Sequence, residues 1–544
     1  MVTIDEAFAH PFAKQTLMAE PLLVVGGGTM GAGIALVAAQ AGYHVDVVEP
    51  EEASRERGSE HVRREAERSG DSTLVERVRW TGAIPARTDA RIAIEAVPER
   101  FELKRDVFVA LANALATDAL LATNTSSLAV ADLADAVPHP ERVLGMHFFH
   151  PPLRMKLIEV VQTPLTSDDA LEQGLALVER LGKTAVLTAD TPGFIVNRVA
   201  RPYYLQALRA LECGLAPMEE LDALARAAGF RMGPFELMDL IGLDVNLATT
   251  ESIYARTEAR RFAPVELQRR MVAQGLLGRK TGAGFYAYRD GKHARFEPVV
   301  EGAPGDADVQ ESVSIVGFAG FADELAEALE ARYASVARIE NDEMLDDISR
   351  ESTIVVDIGD GATDRGDIIA QLDAALGPET VLFADAYASD LRACSQRLRH
   401  PERLIGYGIL GSLADQSAVE IVDLPEASDE ALELAQEFFG SLGKAVMLVE
   451  DAPGLFLGRT IGSIVNEAMT SVAEHVASPE DVDAALCLGA NYPHGPISWG
   501  REIGGARLTR ILKRLADAEG EQFAPHRSLW VLDLEDAVPA EAPQ

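Results

Sequence analysis

Lysine is scarce in this chain. Of 49 basic residues among 544, eight are lysine and 41 arginine, set against 86 aspartates and glutamates for a formal charge of −37. That balance offers no basic face able to release counterions from phosphates, which argues against a nucleic-acid partner. It also disfavours docking on an anionic membrane. Cysteine is nearly absent: Cys213, Cys394 and Cys487 are odd in number and far apart. They supply neither a disulfide framework nor metal-ligand spacing, so no metal is expected and a reducing cytoplasm is the expected location. No uncharged apolar run reaches the ~18 residues of a membrane span. The first residues lack the basic segment and apolar stretch of a secretion signal. What remains is 47% apolar and 25% charged, ordinary for a soluble globular protein. The length exceeds what one core organises, so about three or four domains are expected.

Near the start, the apolar run Pro21–Val25 reads as a buried parallel strand, Gly26-Gly-Gly-Thr29-Met30-Gly31 follows at once, and a helical pattern runs to Gly42. A second strand, His44–Val48, ends on Glu49, 18 residues after Gly31. Each position has a physical task in a dinucleotide-binding turn. Gly26 allows the tight turn, Gly28 lets a pyrophosphate approach the backbone, and Gly31 lets helix and strand pack closely. The helix N-terminus offers N–H groups and a positive dipole end. Glu49 sits where an acid accepts from the adenosine ribose hydroxyls and repels a 2′-phosphate, favouring NAD over NADP. Arg55 and Arg57 stand nearby as the competing reading. Two further strands, at 92–97 and 119–123, place Glu99 and Ser126 just past their carboxyl ends, where open α/β sheets hold ligands.

Over residues 21–288 the chain resembles the short-chain L-3-hydroxyacyl-CoA dehydrogenase family. The resemblance rests on Val25–Gly33, Asn124-Thr-Ser-Ser-Leu128, Gly145-Met-His-Phe-Phe149, Met155-Lys-Leu-Ile-Glu159, Asp190–Arg198, Met232–Leu237 and Leu277–Tyr286. It implies reversible oxidation of a 3-hydroxyacyl-CoA with hydride passing to NAD. It also implies a Rossmann-like domain followed by a helical domain that dimerises, with the active site between them. Removing hydride from a secondary alcohol requires a base for the hydroxyl proton, and histidine has a suitable pKa. The resemblance assigns that role to His147, with Glu159 as the carboxylate that orients its ring. It further implies that Ser126 and Asn197 bind the substrate's C3 oxygen or thioester carbonyl, and that Glu99, Lys104 and Lys280 contact NAD. The family has asparagine three residues after the histidine, near the nicotinamide; this chain has His150 there. The basic stretch Arg55–Arg68 reads two ways: as a helix reaching the CoA phosphates, as in the family, or as a solvated helix laced with Arg–Glu pairs.

The second half repeats the first. His139-Pro-Glu-Arg returns as His400-Pro-Glu-Arg, Leu181-Gly-Lys as Leu442-Gly-Lys, and Asp190-Thr-Pro-Gly as Asp451-Ala-Pro-Gly, all offset by 261 residues. At that offset His147 maps onto Gly408, Ser126 onto Tyr387, Asn197 onto Gly458 and Glu159 onto Glu420. The base is lost, and the phosphate fingerprint shrinks to Gly317-Phe-Ala-Gly320. The copy is about 30 residues shorter, and the missing piece corresponds to the Arg55–Arg68 segment.

The expected fold is therefore α/β plus all-α. It comprises a Rossmann-like domain (20–192), a helical domain (193–289), a linker (290–310), a degenerate Rossmann-like domain (311–451), a second helical domain (452–532) and a disordered tail (533–544). The partner is an acyl-CoA substrate, and the helical domains are expected to form a homodimer or to pair within the chain as a pseudo-dimer. The longer members of the family suggest 3-hydroxybutyryl- or 3-hydroxyadipyl-CoA as substrate, in fatty-acid or phenylacetate breakdown. The alternatives are an NADP-linked acetoacetyl-CoA reductase and a non-catalytic CoA- or dinucleotide-binding protein.

Overall fold

The computed structural model describes residues 20–299, 309–317, 320–330, 332–339, 352–359, 365–387 and 389–534. It divides into two compact units, Met1–Phe194 and Ile195–Gln544.

The first unit is built on a sheet of β1 (Pro21–Val25), β2 (His44–Val48), β3 (Val78–Thr81), β4 (Ile92–Glu95), β5 (Leu120–Thr123), β6 (Val143–Phe148), β7 (Leu157–Gln162) and β8 (Thr184–Ala189), ordered β3-β2-β1-β4-β5-β6-β7-β8. Its central strands are apolar on both faces because both faces are covered. Leu22 and Val24 join one core cluster, while Leu23 and Val25 join the other. Strand order reverses between β1 and β4, and at such a point the carboxyl ends of neighbouring strands diverge into a crevice. β7 runs antiparallel to β6, a pairing that a short connection permits. The register sets His147 directly opposite Glu159.

The helix Glu52–Ser69 lies between β2 and β3 and carries the basic stretch. Its arginines are largely engaged locally: Arg63 pairs with Glu60 and Arg68 with Glu65, while Arg55 Nη1 donates to the carbonyls of Glu49 and Pro50 at 2.7 and 2.8 Å. The solvated-helix reading accounts for these contacts.

The second unit contains two helical sets and a second sheet. That sheet comprises β9 (Val309–Val316), β10 (Tyr333–Ile339), β11 (Ile354–Asp357), β12 (Val381–Asp385), β13 (Leu404–Gly408), β14 (Ala418–Val422) and β15 (Ala445–Val449). Its order, β10-β9-β11-β12-β13-β14-β15, reproduces the first sheet without a counterpart of β3 among the described residues. The repeated scaffold is preserved atom for atom at several joints. Ser167 and Ser428 cap equivalent helices, accepting from Ala170 and Ala431 N–H at 3.2 Å. Lys183 and Lys444 each place a half-buried or buried ammonium on two carbonyls of the turn after the histidine strand or its counterpart. Phe318 and Ala319 of the shortened fingerprint lie outside the described residues.

The two helical sets pack together inside this unit, the helix Arg201–Glu212 lying against Leu457–Ala473. Their contacts are pseudo-twofold. Arg198 Nε donates to Glu467 Oε1 at 2.7 Å, and Arg459, the counterpart of Arg198, reaches Gln206 Oε1, the counterpart of Glu467, at 3.1 Å. Such exchange of equivalent pairs marks an isologous interface. Pro202 divides the first set's helix into Val196–Val199 and Arg201–Glu212, because proline has no N–H to continue the ladder. Ser463 stands at that position in the unbroken Leu457–Ala473.

Two boundary expectations change. Arg295, expected in the linker, pairs with the buried Glu236 of the first helical set. Asp533, expected to begin the tail, ends the turn Arg527–Asp533 and accepts from Gly505 and Ala506 N–H at 2.6 and 2.9 Å, capping the last long helix. The remainder of the tail, 535–544, and linker residues 300–308 lie outside the described residues.

Candidate active site

The fingerprint turn follows β1 into the helix Thr29–Gln40. Gly26 has φ +104°, and a methyl group there would strike the Ala96 carbonyl at 2.6 Å. A methyl at Gly31 would meet the Gly26 oxygen at 1.8 Å, so only glycine permits this approach of helix to strand. Gly28 differs: nothing lies within 4 Å of where its Cβ would stand. It is the N-cap of the helix, no side chain caps its N–H groups, and Gly28 and Thr29 are exposed while Met30 is half-buried. An open glycine cradle facing uncapped N–H groups fits a dinucleotide pyrophosphate. Glu49 is held beside it, its Oε2 accepting from Gly27 N–H at 2.8 Å and its Oε1 from Glu51 N–H at 3.0 Å. Arg55 is pinned on backbone carbonyls, and Arg57 lies against Ser54 and Glu51. The acid, rather than a guanidinium, therefore stands against the fingerprint loop.

Past β4 and β5 lies a buried polar network that the sequence did not announce. Glu95, fully buried, accepts from Lys104 Nζ at 2.9 and 3.1 Å and from Thr123 Oγ1 at 2.7 Å. Lys104 also donates to the Val97 carbonyl and lies 3.2 Å from Glu99 Oε2. Its side chain is 1% exposed and its ammonium is met by protein acceptors. Lys104, expected to contact NAD, here bridges Glu95 and Glu99. Glu99 Oε1 in turn accepts from Thr125 Oγ1 at 2.6 Å, Ser126 N–H at 3.0 Å and Ser127 N–H at 2.9 Å. Burial pushes the Glu99 carboxyl up, but Lys104 and these donors outweigh it and hold its pKa at about 2. Ser126 is thus held through its N–H by the Glu99 carboxylate. Asn124, before it, accepts from Phe148 N–H at 2.8 Å and ties this loop to the end of β6.

His147 Nδ1 stands 2.6 Å from Glu159 Oε2; the ring is 7% exposed and the carboxylate fully buried. Phe149 and Phe194 pack against the imidazole at 4.6 and 5.8 Å between centroids. With Nδ1 committed to the carboxylate, Nε2 is the ring atom left for proton exchange, and the carboxylate stabilises the imidazolium that results. His150 is exposed, two residues beyond β6 and joined to Pro151 by a cis peptide bond.

Asn197 and Lys280 belong to the second unit. Asn197 is half-buried in the short helix Val196–Val199, and Lys280 pairs with Asp244.

The second copy rebuilds the same place differently. A Cβ on Gly408 would lie 2.8 Å from Tyr387 Cζ, and one on Gly458 would lie 2.7 Å from Tyr387 Cδ1. The ring of Tyr387 thus fills the space that both glycines vacate. Its hydroxyl donates to Glu420 Oε2 at 2.7 Å, and Phe456 N–H donates to Oε1 at 2.7 Å. Glu420, the counterpart of Glu159, has no histidine to orient and takes its hydrogen bond from a tyrosine instead.

The comparisons with known proteins agree with this geometry. Residues 22–191 and 318–452 match the family model "3-hydroxyacyl-CoA dehydrogenase, NAD binding domain", and 193–288 and 454–539 match "3-hydroxyacyl-CoA dehydrogenase, C-terminal domain". The chain is 35% identical to the 3-hydroxyadipyl-CoA dehydrogenase of Escherichia coli (strain K12), over 92% of this chain and 95% of that one. It is also 38% identical to the mitochondrial hydroxyacyl-coenzyme A dehydrogenase of Sus scrofa, over 51% of this chain and 94% of that one. Among solved structures, a 3-hydroxybutyryl-CoA dehydrogenase from E. coli K12 is similar with a TM-score of 0.75 and 33% identity, over 94% and 98% of the two chains. No helix among the described residues is long and apolar enough to cross a membrane. The two copies of a dehydrogenase architecture, one retaining its histidine and acid, place this chain in the 3-hydroxyacyl-CoA dehydrogenase family, as an NAD-dependent oxidoreductase.

Proposed function

We propose that the first half alone carries the chemistry, with His147 as general base. The observation that carries this reading is the 2.6 Å contact between His147 Nδ1 and the buried Glu159 carboxylate. When bound, NAD supplies the hydride acceptor. His147 Nε2 takes the C3 hydroxyl proton as that carbon gives up hydride, so the alcohol becomes a ketone and the base becomes an imidazolium. Glu159 keeps the ring in the productive tautomer and compensates the new positive charge. Ser126, fixed by Glu99, donates to the C3 oxygen; Gly26, Gly28, Thr29, Met30, Gly31 and Glu49 hold the dinucleotide. Asn197 and Lys280 keep the substrate and cofactor roles given by the family pattern, and His150 takes the place of the family's asparagine near the nicotinamide. We assign the substrate as a short or dicarboxylic 3-hydroxyacyl-CoA, supported by the names of the E. coli proteins that match nearly the whole chain. Breakdown of fatty or aromatic acids would supply it, and a cytoplasmic location suits a chain whose cysteines are few and far apart in sequence. NADH formation from 3-hydroxybutyryl- and 3-hydroxyadipyl-CoA tests this, with His147→Ala expected to lower kcat by about 10²–10⁴. Equal turnover by the variant would refute the base assignment. A preference for acyl chains of ten carbons would refute the substrate assignment.

A further inference from the structure

Three tryptophans occur in the chain, and Trp80 stands apart as the one in the first unit. It lies on β3, in register with Val47 of β2. Two glycines meet its indole. A Cβ on Gly58, in the helix Glu52–Ser69, would lie 2.2 Å from Trp80 Cη2, and one on Gly27 would lie 2.8 Å from Trp80 Cζ3. The hypothetical Gly27 Cβ is also 2.8 Å from Glu49 Cβ. The benzo edge of the indole is therefore clamped between the fingerprint loop and the basic helix, with the Glu49 side chain against the same glycine. Gly27 is the position the fingerprint leaves free, yet here nothing larger than hydrogen fits.

The clamp touches the atoms that fix Glu49. The N–H of Gly27 donates to Glu49 Oε2, and Glu49 N–H donates to the Thr81 carbonyl, one residue past Trp80, at 2.9 Å. Stiff, close-packed rings transmit position well, because a shift of a few tenths of an ångström at their edge has no free volume to occupy.

We propose that Trp80 is a positioning residue for the adenosine half of NAD, acting through Gly27 and Glu49; this rests on the reading of the Gly26–Gly31 crevice as the dinucleotide site. The indole backs the loop, the loop's amide orients the acid, and the acid meets the ribose. Enlarging position 27 and removing the indole should each disturb the same alignment, and doing both should partly restore it.

The test combines Trp80→Leu, Trp80→Phe, Gly27→Ala and the double variant Gly27→Ala/Trp80→Leu in the full chain. Trp80→Leu and Gly27→Ala should each raise KM for NAD about ten-fold, with kcat at saturating NAD and KM for the acyl-CoA within about two-fold. Trp80→Phe should recover most of the affinity, and the double variant should fall well short of the product of the single effects. NADH affinity, read from nicotinamide fluorescence without turnover, should follow KM. Unchanged NADH affinity in Trp80→Leu would overturn the inference, as would a uniform loss of kcat and both affinities or strict multiplicativity in the double variant. Failure of the wild-type chain to bind NADH would instead remove the crevice reading itself.

Discussion

The hydroxyl of Tyr387 donates to Glu420 at 2.7 Å, where the first copy sets His147 against Glu159 at 2.6 Å. The buried carboxylate is kept while its partner changes from an imidazole to a phenol. Burial lifts the Tyr387 pKa. The three substitutions at 387, 408 and 458 fit one another sterically. We expect Tyr387→Phe to cost about 1–3 kcal/mol, by leaving Glu420 short of a donor. Tyr387→Ala should cost about 3–5 kcal/mol by opening a cavity. Urea unfolding checks both, and NADH formation should continue in the folded fraction of each.

Glu420 also makes a pH prediction. Burial raises its pKa to about 7, against the lowering effect of hydrogen bonds from Tyr387, Phe456 and Leu457. The native state then holds a proton that the unfolded chain has lost, so stability falls as pH rises from about 4.5 to about 7 and levels off above that. The slope is at most ~1.4 kcal/mol per pH unit. Asp222, also lifted to about 7 by burial, adds a decline of the same sign. Glu420→Gln should make the fall shallower; an unchanged slope in denaturant titrations at pH 5 and pH 8 would refute this account.

Glu159→Gln keeps the size of the side chain but offers an amide that can stabilise the wrong imidazole tautomer. A loss of about 10²–10⁴ in kcat is expected, with little change in KM for either ligand. The pH–rate profile of wild type and variant separates this from a folding defect, because only an altered base moves its acid limb.

Glu49→Ala removes the acid held by Gly27 N–H and leaves Arg55 and Arg57 in place. KM for NAD should rise about ten-fold, and the preference for NAD over NADP should narrow. An unchanged ratio of the two efficiencies would show that Glu49 does not set the preference.

Glu467 accepts from both Arg198 and Arg261 while 2% exposed. Removing it takes the carboxylate from Arg261 and leaves the buried Arg198 with Glu474 alone, so Glu467→Ala should cost about 1–3 kcal/mol. The pairing of helical sets also predicts that a protease site engineered into residues 300–308 yields two fragments that co-elute on size exclusion. Separation of the fragments in wild type would count against an internal pseudo-dimer. Separation in the Glu467 variant alone would support it.

The sequence by itself determined what depends on local stereochemistry and short periods. The Gly26–Gly31 turn, the apolar strand that precedes it and the 261-residue repeat are legible because glycine's conformational freedom and strand burial are written in neighbouring residues. His147 and Glu159 were legible through a family pattern, and a short antiparallel connection then set them face to face. Tertiary structure alone decided the rest. Lys104 looks like a free cation on a helix until Glu95, Glu99 and the Val97 carbonyl surround it. Arg198 meets Glu467 across 269 residues, a pairing no local period encodes. Tyr387 reads as a lost serine until Gly408 and Gly458 are seen making room for its ring. In each case the deciding quantity is which atoms fill a buried volume and satisfy a buried charge, and that is fixed only when distant segments pack.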